Sequence, residues 1–145
     1  MPEQETIERV RKDARAGKSP STQAGEFVRE EIHHVREGKH GARSPRQAVA
    51  IGLSKARRAG IRLATPKGPI ALRKKAERDS KAGDNPRRKI SGRRSRAVSE
   101  ALRREPKSTA GRKAMSGQAK TSAAKRSRRS RGEAAGKAAR TRKAA

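Results

Sequence analysis

Residues 24–35, AGEFVREEIHHV, are the clearest amphipathic stretch of the chain. Their apolar members recur at spacings of three and four between Ala24 and Val35, which is the pattern of a helix with one buried face. The single aromatic residue of the protein, Phe27, belongs to this face. We expect the opposite face to be a solvated polar stripe, formed by Glu26, Glu30, His33 and Glu37.

Start and stop signals on both sides of this stretch define three helices. Gly17, Gly38 and Gly60 stand where helices commonly end. The third helix has the strongest start signal, because Ser44 and Gln47 form a capping box with a proline at the first helical position. The predicted helices are residues 3–16, 23–37 and 45–59.

The third predicted helix carries a ridge of small residues, which are Ala48, Gly52, Ala56 and Ala59. Such a ridge lets a neighbouring backbone come close, and the helix over residues 23–37 is the natural neighbour. Ile61 lies just past the helix end and is placed to fold back on Ala56, and Leu63 extends the same patch.

Positive charge dominates the rest of the chain. The 145 residues include 41 Lys and Arg against 14 Asp and Glu, a net charge of +27. Residues 1–60 contain 13 basic and 8 acidic residues, residues 61–105 contain 15 and 5, and residues 106–145 contain 13 and 1. The acids are therefore concentrated in the front of the chain, where most large apolar residues also lie.

Large apolar side chains are too few to build a core throughout. Leu, Ile, Val and Phe make up 16 residues, about 11% of the chain, and highly charged chains below about 20% belong to the disordered class. We therefore predict an all-α fold with a small three-helix module at residues 1–63. A basic linker with short helices should follow at residues 64–105, and a largely disordered tail rich in Lys, Arg and Ala at residues 106–145.

Composition excludes several classes of function. Without cysteine the chain has no disulfide framework, no thiolate zinc finger and no cysteine nucleophile. No run approaches the about 18 apolar residues of a membrane span, and the acidic, polar start lacks the basic and apolar regions of a secretory signal. We expect a cytoplasmic protein without a membrane partner.

The catalytic and cofactor motifs are incomplete. Glu30 and His33 have the spacing of a di-iron half-site, but a complete site needs a matching motif and carboxylates on other helices. Residues 132–138 suggest a phosphate loop, but the glycine spacing is one residue short and Ala138 replaces the required hydroxyl. The sequence therefore predicts no enzyme activity, no cofactor and no metal site.

Residues 38–60, GKHGARSPRQAVAIGLSKARRAG, carry a resemblance to a known family. A short Gly-Lys loop, Ser-x-x-Gln-Ala, an alternating Ala/Ile run and Leu-Ser-x-Ala-Arg resemble a bacterial family of small basic proteins often labelled plasmid stabilisation proteins. The preceding GEFVREE, residues 25–31, belongs to the same pattern, so the resemblance covers residues 17–62. The family has no assigned catalytic or binding residue to transfer. Gly52 stands where the family usually has Ala, which predicts a slightly looser ridge.

The Lys and Arg clusters of the second half are the candidate binding residues. A surface that serves only solubility carries positive and negative charges side by side. Here only one acidic residue follows Glu105, and this asymmetry indicates a polyanion partner. Stacking on single strands needs aromatic side chains, so duplex DNA is favoured over RNA. The predicted nucleic-acid-binding residues are Arg73, Lys74, Lys75, Arg87, Arg88, Lys89, Arg93, Arg94, Arg96, Arg103, Arg104, Lys125, Arg126, Arg128, Arg129 and Arg131.

The expected function is non-specific binding of duplex DNA by neutralisation of phosphate charge, in a nucleoid-associated protein of the plasmid-stabilisation type. Two alternatives remain: an RNA- or ribosome-associated basic protein, and a protein-interaction scaffold with a solubilising tail. Recognition of a DNA groove by residues 45–59, as in a helix-turn-helix protein, is disfavoured because the loop at 38–43 is longer than the usual turn of that motif. A marginal core is expected to be supplemented either by a homodimer through helices 23–37 and 45–59 or by folding coupled to binding.

Overall fold

The computed structural model describes residues 2–85, 89 and 91–143, and over these residues it contains helices and no strand. The all-α class is therefore confirmed. The elements are α1 Gln4–Arg15, α2 Pro20–Arg36, α3 Pro45–Arg58, α4 Ile70–Asp84, α5 Gly92–Arg104, a 3₁₀ turn Ser108–Ala110, α6 Arg112–Ala124 and α7 Arg128–Lys143.

The ends of the first three helices follow the predicted signals. Gly17, Gly38 and Gly60 adopt φ values of 69°, 77° and 91°, the left-handed conformation that only glycine accepts at little cost. Ser44 Oγ accepts the backbone N–H of Gln47 at 3.2 Å, as the capping box predicts. The start predicted for α2 was three residues late, because Pro20 occupies the first helical turn behind the Ser19 cap.

The main core lies where α2 packs between α1 and α3. Phe27 is 1% exposed and contacts Val10, Ala24 and Ala56, with further cover from three partly buried side chains, which are Leu53, Ile61 and Leu63. The N–H of Ile61 donates to the carbonyl of Ala56 at 3.0 Å, which confirms the predicted fold-back.

The contact between α2 and α3 is closest at Gly52. A Cβ atom added there would lie 2.6 Å from Val28 Cα and 2.9 Å from Val28 N, distances that real Cβ atoms do not reach. The small-residue ridge is thus confirmed as the α2 contact at Ala48, Gly52 and Ala56, whereas Ala59 is exposed. The looser ridge predicted from Gly52 was wrong, because the missing Cβ lets the two backbones touch.

Residues beyond 63 pack against the three-helix module and contribute to its core. Ala76 of α4 is buried beside α3, and a Cβ added to Gly83 would lie 2.2 Å from the carbonyl oxygen of Arg57. Ala110 is buried in a second apolar cluster with three residues of α2, α3 and the loop between them, which are Val35, Ala42 and Ala48.

Backbone hydrogen bonds join the same loop to the end of α5. The N–H of Gly41 donates to the carbonyl of Leu102 at 2.8 Å, and that of Ala42 to Pro106 at 2.9 Å. Arg36 Nε donates to the carbonyl of Ala110 at 2.8 Å. These bonds fix the point from which α5 and α6 diverge.

The prediction of a largely disordered tail at residues 106–145 was wrong. That segment contains the 3₁₀ turn, α6 and α7. The shortage of large apolar residues has a different consequence, since neither α6 nor α7 has a buried residue over the described range. Alanine-rich sequence without proline forms the local hydrogen bonds of a helix without needing a core.

The prediction of a fully solvated stripe on α2 was also wrong in part. His33 and Glu37 are exposed, but Glu30 is 3% exposed and its neighbour Glu31 is fully buried. Lys55 of α3 lies between the two carboxylates, 3.3 Å from Glu30 Oε1 and 2.7 Å from Glu31 Oε2. Buried carboxylates require such partners.

The homodimer through helices 23–37 and 45–59 stays a prediction. The apolar faces of α2 and α3 are buried against each other within one chain. A second copy would have to use the sides of these helices that remain exposed.

Gly52→Ala should destabilise the protein, although the same change in an open helix is stabilising. The new methyl group meets the α2 backbone, which cannot give way as a flexible side chain would, so the free energy of unfolding should fall by about 1–3 kcal/mol. Gly25→Ala in α2 is the matched control, because nothing lies within 4 Å of the added Cβ. It should gain about 0.5–1 kcal/mol. Urea denaturation followed by circular dichroism measures both, and equal effects would contradict the close approach.

Candidate nucleic-acid interface

The predicted basic residues lie on exposed surfaces of α4, α5, α7 and the connection between α6 and α7. Arg73 and Lys74 are exposed on α4, and Lys89 is exposed before α5. Arg87 and Arg88 lie outside the described residues. The structure gathers most of the others into two clusters, each at the beginning of a helix.

The first cluster is the beginning of α5. Arg93, Arg94 and Arg96 occupy its first turns, behind Ser91, whose Oγ accepts the N–H of Arg94 at 3.4 Å. No acid stands in the first turn to offset the positive end of the helix dipole. Positive side chains and the helix N-terminus therefore act together on any anion that approaches.

The second cluster is the beginning of α7 and has the same construction. Arg128, Arg129 and Arg131 occupy the first turn, and Ser127 Oγ accepts the N–H of Ser130 at 3.2 Å. Arg129 pairs with Glu133 at 3.2 Å on the exposed surface, where such a pair stabilises little. Lys125 and Arg126 precede the cluster and are exposed.

Charge is distributed differently on the two helices. On α5 four of the five arginines, Arg93, Arg96, Arg103 and Arg104, share one side, and Val98 and Leu102 lie on the other together with Arg94. Glu100 lies on the arginine side and reduces its net charge. On α7 basic residues surround most of the helix and leave an uncharged stripe formed by Ala134, Ala138 and Thr141.

Lys75 is the exception among the predicted residues, because it is engaged within the fold. Its Nζ lies 2.9 Å from Asp79 Oδ2, a carboxylate that also accepts from Ser54 Oγ at 2.7 Å and Arg58 Nε at 2.8 Å. Burial favours the neutral acid, but the hydrogen bonds from Lys75, Ser54 and Arg58 outweigh it and lower the pKa of Asp79. Asp79 therefore fixes α4 on α3, and Lys75 takes part because its Nζ also lies 3.4 Å from Ser54 Oγ of α3.

Seven further basic residues, outside the clusters predicted from the sequence, are exposed on α6 and α7: Arg112, Lys113, Lys120, Lys137, Arg140, Arg142 and Lys143. Three of them stand singly in the sequence, and the other four form the pairs 112–113 and 142–143. The signal that would have placed them on helices is the helix propensity of the alanine-rich sequence around them.

Comparison of the chain with protein-family models, curated proteins and solved structures gave no match. The resemblance to plasmid stabilisation proteins therefore stays a prediction. None of the helices in the described part of the chain has an apolar stretch long enough to cross a bilayer.

Asp79→Asn should lower the free energy of unfolding by about 1–2 kcal/mol, because three donors lose a charged acceptor. The pKa of Asp79 in the folded protein lies below its ordinary value of 3.8. The stabilisation is therefore complete above pH 3.8 and is lost as the pH falls through the folded-state pKa.

Urea denaturation at neutral and acidic pH checks this sign. The difference between the wild type and Asp79→Asn should be full at neutral pH and shrink on acidification. Asp84→Asn is the control, because Asp84 is exposed on the same helix and has no ion pair among the described residues. An Asp79→Asn penalty that grows on acidification would contradict the assignment.

Proposed function

We propose that the protein binds duplex DNA without sequence preference, by neutralising phosphate charge with the exposed basic residues of α5, α6 and α7. The observation that carries the proposal is the segregation of charge. Acids of the front helices are largely taken up by partners within the fold, whereas most basic residues of the later helices point into solvent without an acid. Among the described residues, the ion pairs that involve an acid beyond residue 104 are Arg43 with Glu105 and Arg129 with Glu133.

The spacing of charge on α7 supports a phosphate ligand. Its 16 residues correspond to a length of about 24 Å and carry seven Lys and Arg against one Glu. That is one positive charge per about 3.4 Å, which equals the spacing of phosphates along one DNA strand. A helix of this kind lies within the width of the major groove and contacts phosphates on its rims.

The chain offers little for recognition of bases. Phe27, its single aromatic residue, is in the core and unavailable for stacking, which disfavours single strands. Contacts to phosphates alone position a protein without reading sequence. This combination supports a nucleoid-associated role of the plasmid-stabilisation type. RNA duplexes present the same charges, so competition between duplex DNA and RNA at fixed salt separates the two ligands.

Affinity for duplex DNA should fall steeply with salt. If about eight phosphates are contacted, the logarithm of the association constant should decline against the logarithm of salt concentration with a slope of about −7. Fluorescence anisotropy with several unrelated duplexes at a series of salt concentrations measures the slope. A slope near zero, or one duplex bound far more tightly than the others, would refute the proposal.

Replacing Arg128, Arg129 and Arg131 together by Ala should make this slope shallower by about 2.7, since each phosphate contact contributes about 0.9. The matched control replaces Arg11, Lys12 and Arg15, three exposed residues of α1, and removes the same net charge. The control should leave the slope nearly unchanged. Equal effects of the two triple variants would show that total charge, not α7, determines binding.

A further inference from the structure

Two histidines meet a buried glutamate at the end of α2. Glu31, His34 and His40 each present one ligand atom, and these atoms all lie within 4.8 Å of one another. Glu31 and His34 share a face of α2 because they are three residues apart. Gly38, with φ of 77°, turns the chain so that His40 returns over the last turns of the helix.

The environment of His40 leaves its Nε2 facing an acceptor. Its Nδ1 lies 3.0 Å from the carbonyl oxygen of Gly41, and its Nε2 lies 3.0 Å from Glu31 Oε1. A carbonyl and a carboxylate only accept hydrogen bonds, whereas a neutral imidazole donates from one nitrogen. When Nδ1–H donates to the carbonyl, the lone pair of Nε2 points at the carboxylate. Something positive is needed between these two atoms.

Glu31 is correspondingly short of partners. Its side chain is fully buried, and neither carboxylate oxygen takes part in a hydrogen bond of acceptable geometry within the described structure. Lys55 Nζ lies 2.7 Å from Oε2, so the second oxygen, Oε1, is the one left for another cation. Leaving a buried carboxylate oxygen without a partner is costly.

The charges around the cluster leave room for a dication. Glu3 accepts from His34 Nε2 at 2.9 Å and from Lys39 Nζ at 2.9 Å, and Lys39 also pairs with Glu37 at 3.2 Å. Glu30 and Glu31 share Lys55, and Glu3 and Glu37 share Lys39, so these four carboxylates are paired with two lysines. Lys107 is a third cation nearby, because its Nζ lies beside Gly38 on the same loop. With neutral histidines the group carries −1, and its local charge is compatible with a divalent ion.

We propose that Glu31 Oε1, His40 Nε2 and one ring nitrogen of His34 bind a divalent transition-metal ion of the zinc type. Two imidazoles and one carboxylate are ligands that Zn²⁺ takes in proteins, and three protein ligands leave one position open. The carbonyl of Gly41 on His40 Nδ1 is the outer partner that fixes the ring of a metal-bound histidine.

Closing this site requires a small movement. Ligand atoms of a tetrahedral zinc ion lie about 3.4 Å apart, given bonds of about 2.1 Å. The present spread of up to 4.8 Å must therefore contract by about 1.4 Å at its widest edge. Glu31 Oε1 and His40 Nε2 are already 3.0 Å apart, so the contraction falls on the edges to His34.

Isothermal titration of the full, chelator-treated chain with Zn²⁺ tests the proposal. We expect one ion per chain with a Kd of about 1 µM or tighter, and a thermal unfolding midpoint that rises with Zn²⁺ concentration. Co²⁺ should give the visible absorption bands of a tetrahedral site. His40→Ala should weaken binding by more than about 100-fold, since loss of an outer partner alone costs about 10- to 100-fold.

His33→Ala is the matched control, because His33 is exposed on α2 next to His34 and outside the cluster. It should bind Zn²⁺ like the wild type. A proton on His40 Nε2 would satisfy the same geometry without a metal. Absence of Zn²⁺ binding, or binding that His40→Ala and His33→Ala weaken equally, would therefore overturn the proposal in favour of a protonated histidine paired with Glu31.

Discussion

The close contact of α2 with α3 is the constraint on which the other parts of the structure depend. It exists because Gly52 lets the α3 backbone reach the backbone of Val28. The contact sets the direction of the loop at residues 38–43, whose Gly41 and Ala42 bind residues 102–106. The same loop carries His40 to Glu31. Gly52 therefore permits the contact of α2 with α3, and Gly41 permits the attachment of residues 102–106, because a Cβ at Gly41 would overlap the backbone of Glu105.

Ion pairing divides the charge of the chain into two populations. In the front helices acids are matched at close range, as Glu26 is by Arg9 at 2.7 Å and Asp13 is by Lys18 at 2.9 Å. Asp79 extends this matching to α4 through Arg58 and Lys75. Beyond Glu105 the single acidic side chain is Glu133, which pairs with Arg129, so most of the basic residues there have no acid to pair with and face solvent. The charges of the front helices are therefore paired within the fold, whereas most basic residues of the later helices remain available to a binding partner.

The sequence predicted the first three helices because each has local signals that agree with its tertiary contacts. Capping serines, terminal glycines and the apolar face around Phe27 all point to the same packing. It did not predict that Ala76 and Ala110 complete the core, because alanine has no periodic signal that separates a buried position from an exposed one. Helices α6 and α7 were not predicted, because a lack of large apolar residues indicates disorder. Their alanine-rich sequence forms helices although neither helix has a buried residue.

The candidate sites were unequally visible in the sequence. Basic clusters are a composition signal, so their exposure followed directly, and only Lys75 required the structure to reveal its partner Asp79. The histidine cluster was not predicted because the Glu-x-x-His spacing occurs twice in α2, at Glu30 and His33 and again at Glu31 and His34, and the spacing alone does not distinguish the two. A helical pattern gives the face of a residue but not the neighbour that covers it, and burial of Glu31 depends on α3 and on the loop.

The two proposed sites are separable because they have opposite local charge. The metal cluster is a locally acidic site in a protein of net charge +27, so a bound dication changes the charge only at that site. The basic clusters of α5 and α7 lie on exposed helix surfaces, where salt screens interactions beyond about 8–10 Å. Occupancy of the cluster therefore changes the stability of the module that holds the attachment loop, while the phosphate contacts of α7 depend on its own arginines. A failure of either proposal leaves the other standing on its own observations.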